Sequence, residues 1–112
     1  MSTTDIGNRG ENIASVFLTD NGYKVIDQNW KTRWCEIDLI AKKNNIVYFV
    51  EVKYRKSDVF GDGFSYITPK KLQQMRFAAE FWIHKNSYNG ECNLSAISID
   101  NQGSQITFLE DL

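Results

Sequence analysis

The chain has 112 residues, of which 42% are hydrophobic and 24% are charged. This length and composition predict one folded domain over residues 1–112 and exclude a disordered or fibrous protein. The longest apolar run, Ile46 to Val50, is too short to cross a bilayer, and the polar N-terminal segment lacks the apolar region of a secretion signal. Because the chain also has only two cysteines, we expect a cytoplasmic protein without a membrane partner.

The net charge of −1 argues against a protein that coats nucleic acid without specificity. The charges are nevertheless unevenly distributed, since 12 basic and 7 acidic residues lie between Lys24 and Lys85, against one basic and 7 acidic residues elsewhere. The middle of the chain is therefore suited to face phosphate groups. An ordinary solvated surface would show the same pattern, so the charge balance alone leaves both interpretations open.

Apolar periodicity predicts an α/β domain with the element order α-β-β-β-α-β-β and a mixed sheet flanked by helices. Thr68-Pro69 is typical of a helix N-cap followed by proline in the first turn, and Asn44-Asn45 is typical of a tight hairpin turn. The predicted helices span Asp5–Asn21 and Thr68–Lys85, and the predicted strands span Tyr23–Asn29, Glu36–Lys42, Ile46–Tyr54, Leu94–Ile99 and Gln105–Leu109.

The second helix connects the third and fourth predicted strands, which are therefore expected to be parallel. The third strand contains the continuous apolar run and is expected to be central. The fourth strand alternates Ile97 and Ile99 with Ser98 and Asp100, which favours a less buried position.

The two-residue hairpin turn fixes a register in which Asp38 faces Glu51 and Glu36 faces Lys53. Opposed carboxylates destabilise a sheet, and a divalent cation such as Mg²⁺ would offset that cost. Lys53 projects from the same face as Glu51 and would stabilise negative charge on a phosphoryl group. These groups are the components of a phosphodiesterase, although cross-strand ion pairs such as Glu36 with Lys53 would explain the same residues without a ligand.

Glu11 lies beside the apolar stripe of the first helix, because Ala14 and Leu18 follow it at helical spacing. One interpretation is that Glu11 points over the sheet toward Asp38 and Glu51, as a further metal ligand or as a group that orients water. The alternative is a helix-end acid that complements the helix dipole or pairs with a nearby cation.

Basic and aromatic residues alternate after the third strand and at the start of the second helix, a pattern that suits phosphates and unpaired bases. A core position explains Phe60 and Phe64 equally well, and Trp30 and Trp34 are interpreted as packing residues or as a dimer contact. The candidate nucleic-acid-binding residues are Arg55, Lys56, Lys70, Lys71 and Arg76.

Asp38, followed after twelve residues by Glu51-Val52-Lys53, resembles the PD-(D/E)xK nuclease signature. The preceding helix with Glu11 is similar to archaeal-type Holliday junction resolvases within that superfamily. A longer series of residues, spread over nearly the whole chain, resembles the YraN family of small bacterial proteins. Its main members are Gly10-Glu11, Gly22-Tyr23, Glu36 to Ala41, Phe49 to Lys53, Phe60-Gly61 and Thr68-Pro69.

This resemblance implies a restriction-endonuclease-like fold and a nuclease that uses Mg²⁺ or Mn²⁺. It further implies that Asp38, Glu51 and the Val52 carbonyl bind the metal, that Lys53 is the catalytic lysine and that Glu11 is an additional acid. Cys35 stands where the family usually has glycine before Glu-Ile-Asp, so a close backbone approach at this position is expected to differ.

The sequence thus favours a metal-dependent endonuclease that acts on branched or structured DNA, with RNA as a weaker alternative substrate. A homodimer is expected, because a symmetric junction needs two active sites. The alternative is a non-catalytic nucleic-acid-binding or protein-interaction module that retains the nuclease fold, and the small size of the chain favours that alternative.

Overall fold

A computed structural model describes residues 3–57 and 63–112, with side chains from residue 9 onward. Phe60 and Gly61, which belong to the predicted basic and aromatic loop, lie outside these described residues. No helix in the described ranges is both long enough and apolar enough to cross a membrane.

The elements within the described residues follow the predicted order, with helices and strands close to their predicted limits. The largest difference is the fourth strand, which begins three residues earlier than Leu94. The helices are α1 (Thr3–Asp20) and α2 (Pro69–Lys85), and the strands are β1 (Lys24–Lys31), β2 (Glu36–Lys43), β3 (Ile46–Tyr54), β4 (Glu91–Asp100) and β5 (Gln105–Leu109).

The strands form one mixed sheet in the order β1-β2-β3-β4-β5. β3 lies at its centre and pairs parallel with β4, whereas the other three pairings are antiparallel. α1 and α2 pack on opposite faces, each with its own core cluster. The α/β class and the restriction-endonuclease-like architecture predicted from the sequence are therefore confirmed.

Local sequence explains the connections that set this geometry. Asn44 and Asn45 adopt φ values of 53° and 65°, the left-handed conformations that a two-residue hairpin turn requires. At the start of α2 the Thr68 hydroxyl accepts a hydrogen bond from the Lys71 amide at 3.1 Å, and Pro69 follows in the first turn. The turn and the helix start are thus both formed as predicted.

The core consists of two apolar layers, one on each face of the sheet. On one face Ala14 and Leu18 of α1 pack against residues that include Leu39 and Val50. On the other face α2 presents Trp82, whose ring lies edge-on to Phe49 with 5.4 Å between ring centroids. β2 and β3 therefore lie between the two helices.

The predicted lower burial of β4 is wrong, because every residue from Ser95 to Asp100 is buried. The polar members of the strand find partners inside the protein. Ser98 donates a hydrogen bond to Asp100 at 3.0 Å, and both accept hydrogen bonds from Arg55. Buried polar groups with such partners give the same alternation as a solvent-facing strand.

Candidate functional site

The acidic residues meet where β2 and β3 separate. Backbone pairs run from Lys43–Ile46 to Leu39–Val50, in the register predicted from the hairpin turn. Beyond Leu39 the side chain of Asp38 makes the next contact, since its Oδ2 accepts a hydrogen bond from the Val52 amide at 2.8 Å. The predicted pairing of Asp38 with Glu51 lies one position beyond the last of these pairs, where the Asp38 carboxylate bonds to the backbone beside Glu51.

Asp38 is the most strongly perturbed carboxyl of the described residues. Burial, together with repulsion from Glu51 and more weakly from Glu11 and Glu36, raises its pKa to about 7, although the hydrogen bond from Val52 opposes the rise. A carboxyl in this environment is only partly ionised at neutral pH. A cation placed beside it would recover the electrostatic energy that the surrounding acids cost.

Glu51 is held by a cation from α2. Its Oε1 lies 2.9 Å from Nζ of Lys71, and both side chains are partly buried. Within the described ranges, the predicted alternative pairing of Glu36 with Lys53 is not formed. The first turn of α2 therefore supplies the counter-charge for Glu51.

Glu11 projects from α1 toward β1, where Asn29, Glu36 and Lys31 act on its carboxyl group. Partial burial raises its pKa, and the charge of Glu36 raises it further, whereas Asn29 and Lys31 lower it. Glu11 also contributes to the raised pKa of Asp38. The structure thus brings Glu11 close to Asp38 and Glu36, from the opposite side of the sheet to α2.

Lys53 lies beyond Glu51 on β3 and is exposed. Its ammonium lies 5.7 Å from the centroid of the Tyr66 ring, within the range of a cation–π contact. The Tyr66 hydroxyl is buried and has no hydrogen-bond partner among the described residues. Burial first, and then the charges of Glu51 and Asp38, raise the Tyr66 pKa, which places this unused donor near the acids.

Arg55 does not face a ligand, in contrast to its predicted role at the nucleic-acid surface. Its Nη1 donates to Ser98 at 2.8 Å and to Asp100 at 3.2 Å, and its Nη2 donates to the Gly63 carbonyl at 3.0 Å. These contacts link the end of β3 to β4 and to the segment that carries Tyr66. The role visible in the structure is to hold that segment in place.

The other predicted basic residues are distributed over different surfaces. Lys56 is exposed just after β3, and Arg76 is exposed on α2. Lys70 and Lys71 both border a cleft of about 550 Å³ between α2 and the β1–β2 connection. This cleft also reaches Glu51, so only the two lysines of α2 are brought together with the acidic residues.

The sequence interpretation missed two aromatic residues that line this cleft, Trp34 and Phe77. The sequence pattern predicts Trp34 as a packing or dimer residue and makes no prediction for Phe77. The available signal was the position of Trp34, four residues before Asp38 in the segment that leads into β2. Cys35, at the position where glycine is usual, also borders the cleft.

A divalent cation at this site would need oxygen ligands from the acidic residues and their neighbours. Within the described ranges no three His, Cys, Asp or Glu side chains form a ready-made metal-binding group. The carboxylates of Asp38 and Glu51, and the Tyr66 hydroxyl that lacks a hydrogen-bond partner among the described residues, are nevertheless the oxygen groups that Mg²⁺ or Mn²⁺ and its water ligands would use. The residues therefore fit such an ion once Lys71 moves away from Glu51.

The chain is similar over most of its length to proteins of one known family. The model of the uncharacterised protein family UPF0102 matches residues 10–100. A UPF0102 protein of Vibrio campbellii is 33% identical over 98% of this chain and 93% of its own length. A UPF0102 protein of Neisseria gonorrhoeae is 38% identical over 84% of this chain and 83% of its own length. The resemblance to the YraN family is confirmed, since UPF0102 is that family.

Proposed function

This chain belongs to the uncharacterised protein family UPF0102, and from the site described above we propose that it is a divalent-metal-dependent endonuclease acting on branched or structured DNA. The observation that carries the proposal is Asp38, a partly buried carboxyl whose pKa is raised to about 7 by burial and by neighbouring acids. A purely structural carboxyl gains nothing from this environment, whereas perturbed groups beside a cleft are typical of functional sites.

Asp38 and Glu51 would hold Mg²⁺ or Mn²⁺, with the Val52 carbonyl as a backbone ligand and Glu11 as an additional acid on the α1 side. When bound, such an ion supplies a water of lowered pKa and positive charge for a phosphate. The hydrogen bond from the Val52 amide orients the Asp38 carboxylate for this role, because it occupies Oδ2 and leaves Oδ1 for a ligand.

Lys53 and Tyr66 would act on the phosphate itself. The exposed Lys53 ammonium is held near the Tyr66 ring and can neutralise charge on a phosphoryl group that approaches the acids. The Tyr66 hydroxyl is a buried donor without an acceptor in the described residues, so a phosphate oxygen or an ordered water would complete its hydrogen bonding. Arg55 fixes the segment that carries Tyr66 and is therefore a positioning residue.

Lys71 would exchange its partner when an ion binds. In the structure its ammonium neutralises Glu51 at 2.9 Å, where it occupies the charge position that a cation would take. Once an ion replaces it, Lys71 becomes available to a phosphate on the cleft side. Lys70 and Arg76 are also on α2, and together with Lys56 they provide further cations for the DNA backbone.

The second candidate function is a non-catalytic nucleic-acid-binding or protein-interaction module. The ion pair between Lys71 and Glu51 favours it, because the pair satisfies Glu51 within the fold and needs no metal. The two functions differ in what a divalent ion does. The nuclease binds the ion through Asp38 and Glu51, whereas the module is indifferent to it.

The test is cleavage of end-labelled linear, flapped and four-way-junction DNA by the purified protein, with Mg²⁺, Mn²⁺ or chelator. We expect metal-dependent cutting of the branched substrates that is lost in Lys53→Ala and Glu51→Gln, and retained in the matched surface variant Asp20→Asn prepared in the same way. Cutting that persists in both site variants would indicate a contaminating nuclease. If no substrate is cut while DNA is still bound, the endonuclease is refuted and the binding module stands.

The proposed dimer is tested on the same preparation by light scattering, with and without junction DNA. A symmetric junction requires two active sites, so a two-to-one complex of protein and junction is expected. We place this activity in the cytoplasm, where branched DNA substrates occur and the two free cysteines stay reduced.

A further inference from the structure

The cleft beside Glu51 presents two large aromatic side chains to solvent. Trp34 is 65% exposed and Phe77 is 52% exposed, although both line the same cleft. Trp34 lies on the β1–β2 connection and Phe77 lies on α2, and both rings contact Phe81. Apolar area of this size is costly to leave in water unless another group covers it.

The Trp34 side chain is carried by an ordered turn. The Thr32 hydroxyl accepts hydrogen bonds from the amides of Trp34 at 3.1 Å and Cys35 at 3.2 Å. The Thr32 amide donates to the Cys35 carbonyl at 2.8 Å and closes the turn. Trp34 also packs against Phe81 of α2, with 5.9 Å between ring centroids. The backbone that carries Trp34 is thus ordered, and the exposed ring has a contact with α2.

The rest of the cleft is polar and charged. Lys70 and Lys71 stand at its α2 end, and the amides of Gln73 and Gln74 lie along the same helix. Arg33 is exposed and does not line the cleft, but its guanidinium lies 5.1 Å from the Trp34 ring centroid. Aromatic surface, cations and amides are the groups that bind the base, the phosphate and the base edge of a nucleotide.

We propose that this cleft binds one unpaired nucleotide of the DNA substrate, with its base against Trp34 and Phe77 and its phosphate near Lys70, joined by Lys71 once an ion has replaced that lysine at Glu51. The inference rests on the proposed function and specifies its substrate class. A volume of about 550 Å³ is within the range of small-ligand sites and accommodates a single nucleotide.

The nucleotide must be unpaired, because both faces of a base inside a duplex are already stacked. Only a base that has left the stack can present a face to Trp34. The cleft opens onto Glu51, so the bound nucleotide would lie next to the phosphate that reaches the acidic residues. The protein would therefore select DNA whose scissile phosphate adjoins a flap, a gap or a branch point.

A second copy of this chain is the other occupant that the aromatic surface would fit. The charges argue against it, since the cores of protein interfaces are depleted in lysine and glutamate. Here Lys70, Lys71, Glu36 and Glu51 all border the cleft. An anionic, aromatic ligand matches this mixture, because its phosphate pairs with the lysines and its base covers the rings.

The test measures binding without cleavage, in chelator and at low salt. Fluorescence anisotropy follows a labelled single-stranded 12-mer and the matched duplex. The contribution of Trp34 to tryptophan quenching is the difference between the wild type and Trp34→Phe, because Trp30 and Trp82 also fluoresce. We expect tighter binding of the single strand than of the duplex. Trp34→Ala and Phe77→Ala should each weaken single-strand binding by about 10-fold to 100-fold, the range of one base stacked on an aromatic ring.

The controls separate stacking from loss of fold. Trp34→Phe keeps an aromatic face and should retain most of the single-strand affinity while it removes the quenching signal. Val16→Ala removes exposed apolar surface of similar accessibility on α1 and should leave the affinity unchanged. Because Trp34 and Phe77 are exposed, their variants should melt close to the wild-type temperature.

The inference is overturned if Trp34→Ala and Phe77→Ala bind the single strand as the wild type does, or if the wild type does not bind it at all. It is also overturned if these variants abolish a wild-type dimer without any change in DNA affinity. Failure of the nuclease looks different, because a protein that binds single strands through Trp34 but cuts nothing supports this inference and refutes the endonuclease. If cutting depends on Lys53 but Trp34→Ala leaves single-strand binding unchanged, the endonuclease is supported and this inference is refuted.

Discussion

Replacement of Asp38 by asparagine should make the protein more stable at alkaline pH. The structure raises the pKa of Asp38 from 3.8 to about 7, mainly through burial and the charge of Glu51. At about 1.4 kcal/mol per pKa unit, this rise lowers the free energy of unfolding by about 4 kcal/mol once the pH exceeds the folded-state pKa. The asparagine oxygen can still accept the hydrogen bond from the Val52 amide, so the substitution removes the charge and keeps the contact.

The sign follows from the number of protons that each state binds. Below pH 3.8 the carboxyl is protonated in both the folded and the unfolded chain, and its full contribution to stability is present. Between pH 3.8 and about 7 only the folded state keeps the proton, so wild-type stability falls by about 1.4 kcal/mol per pH unit. Above pH 7 the loss is complete, and the asparagine variant does not experience it.

The assay is urea unfolding followed by tryptophan fluorescence at pH 5 and pH 8, in chelator. The stability of Asp38→Asn relative to wild type should increase by about 3 kcal/mol between these two pH values. Asp20→Asn, at an exposed position near the end of α1, is the matched control and should follow the wild type. A relative stability that stays constant or decreases with pH would refute the assigned environment of Asp38.

Addition of Mn²⁺ at pH 8 extends the same experiment to the proposed ion. An ion at 100 times its dissociation constant stabilises the folded state by about 2.7 kcal/mol. We expect the wild type to gain this stability and Asp38→Asn to gain little, because the variant lacks one of the two charged ligands. Equal stabilisation of both proteins would place the ion elsewhere.

Three further predictions concern parts of the fold that support the site, each measured as the free energy of unfolding in urea. Arg55→Met should cost about 3 to 5 kcal/mol, because it leaves the buried Asp100 without its cation, and a loss below 1 kcal/mol would contradict the structural role of Arg55. Gly10→Ala should cost about 1 to 3 kcal/mol, because the new Cβ would lie 2.9 Å from Cβ of Tyr54. This cost should exceed the gain from the better helix propensity of alanine, so a stabilised variant would show that α1 packs differently. Thr68→Ala should cost about 1 kcal/mol through loss of the α2 N-cap, and Thr68→Ser should restore most of it.

The fold was predictable because each local signal agreed with the global arrangement. The Asn44-Asn45 turn fixed the β2–β3 register, and Thr68-Pro69 fixed the start of α2. The helix between β3 and β4 implied their parallel pairing. The burial of β4 was not predictable, because a polar strand residue with a buried partner and one facing water give the same sequence pattern.

The site was predictable only as far as neighbouring strands determine it. The hairpin register brought Asp38 and Glu51 to one place, but the contact of Asp38 with the Val52 amide depends on how the strands separate there. The partner of Glu51 is Lys71, twenty residues later on a helix whose rotation the sequence does not reveal. The partners of Arg55 on β4 and at Gly63 are equally hidden in the sequence, so Arg55 was expected at the surface.

The parallel pairing of β3 with β4 also has a consequence for how the chain folds. β2 and β3 are joined by a two-residue turn, whereas Ile46 must find Glu91 across 44 intervening residues. Long loops close slowly, so the hairpin should form early and β4 should join it at or after the rate-limiting step. A mutation in the turn should then change the folding rate, while one at the centre of β4, such as Ala96→Gly, should mainly accelerate unfolding. The acidic half of the site would exist in the nascent hairpin before Arg55 acquires its partners on β4.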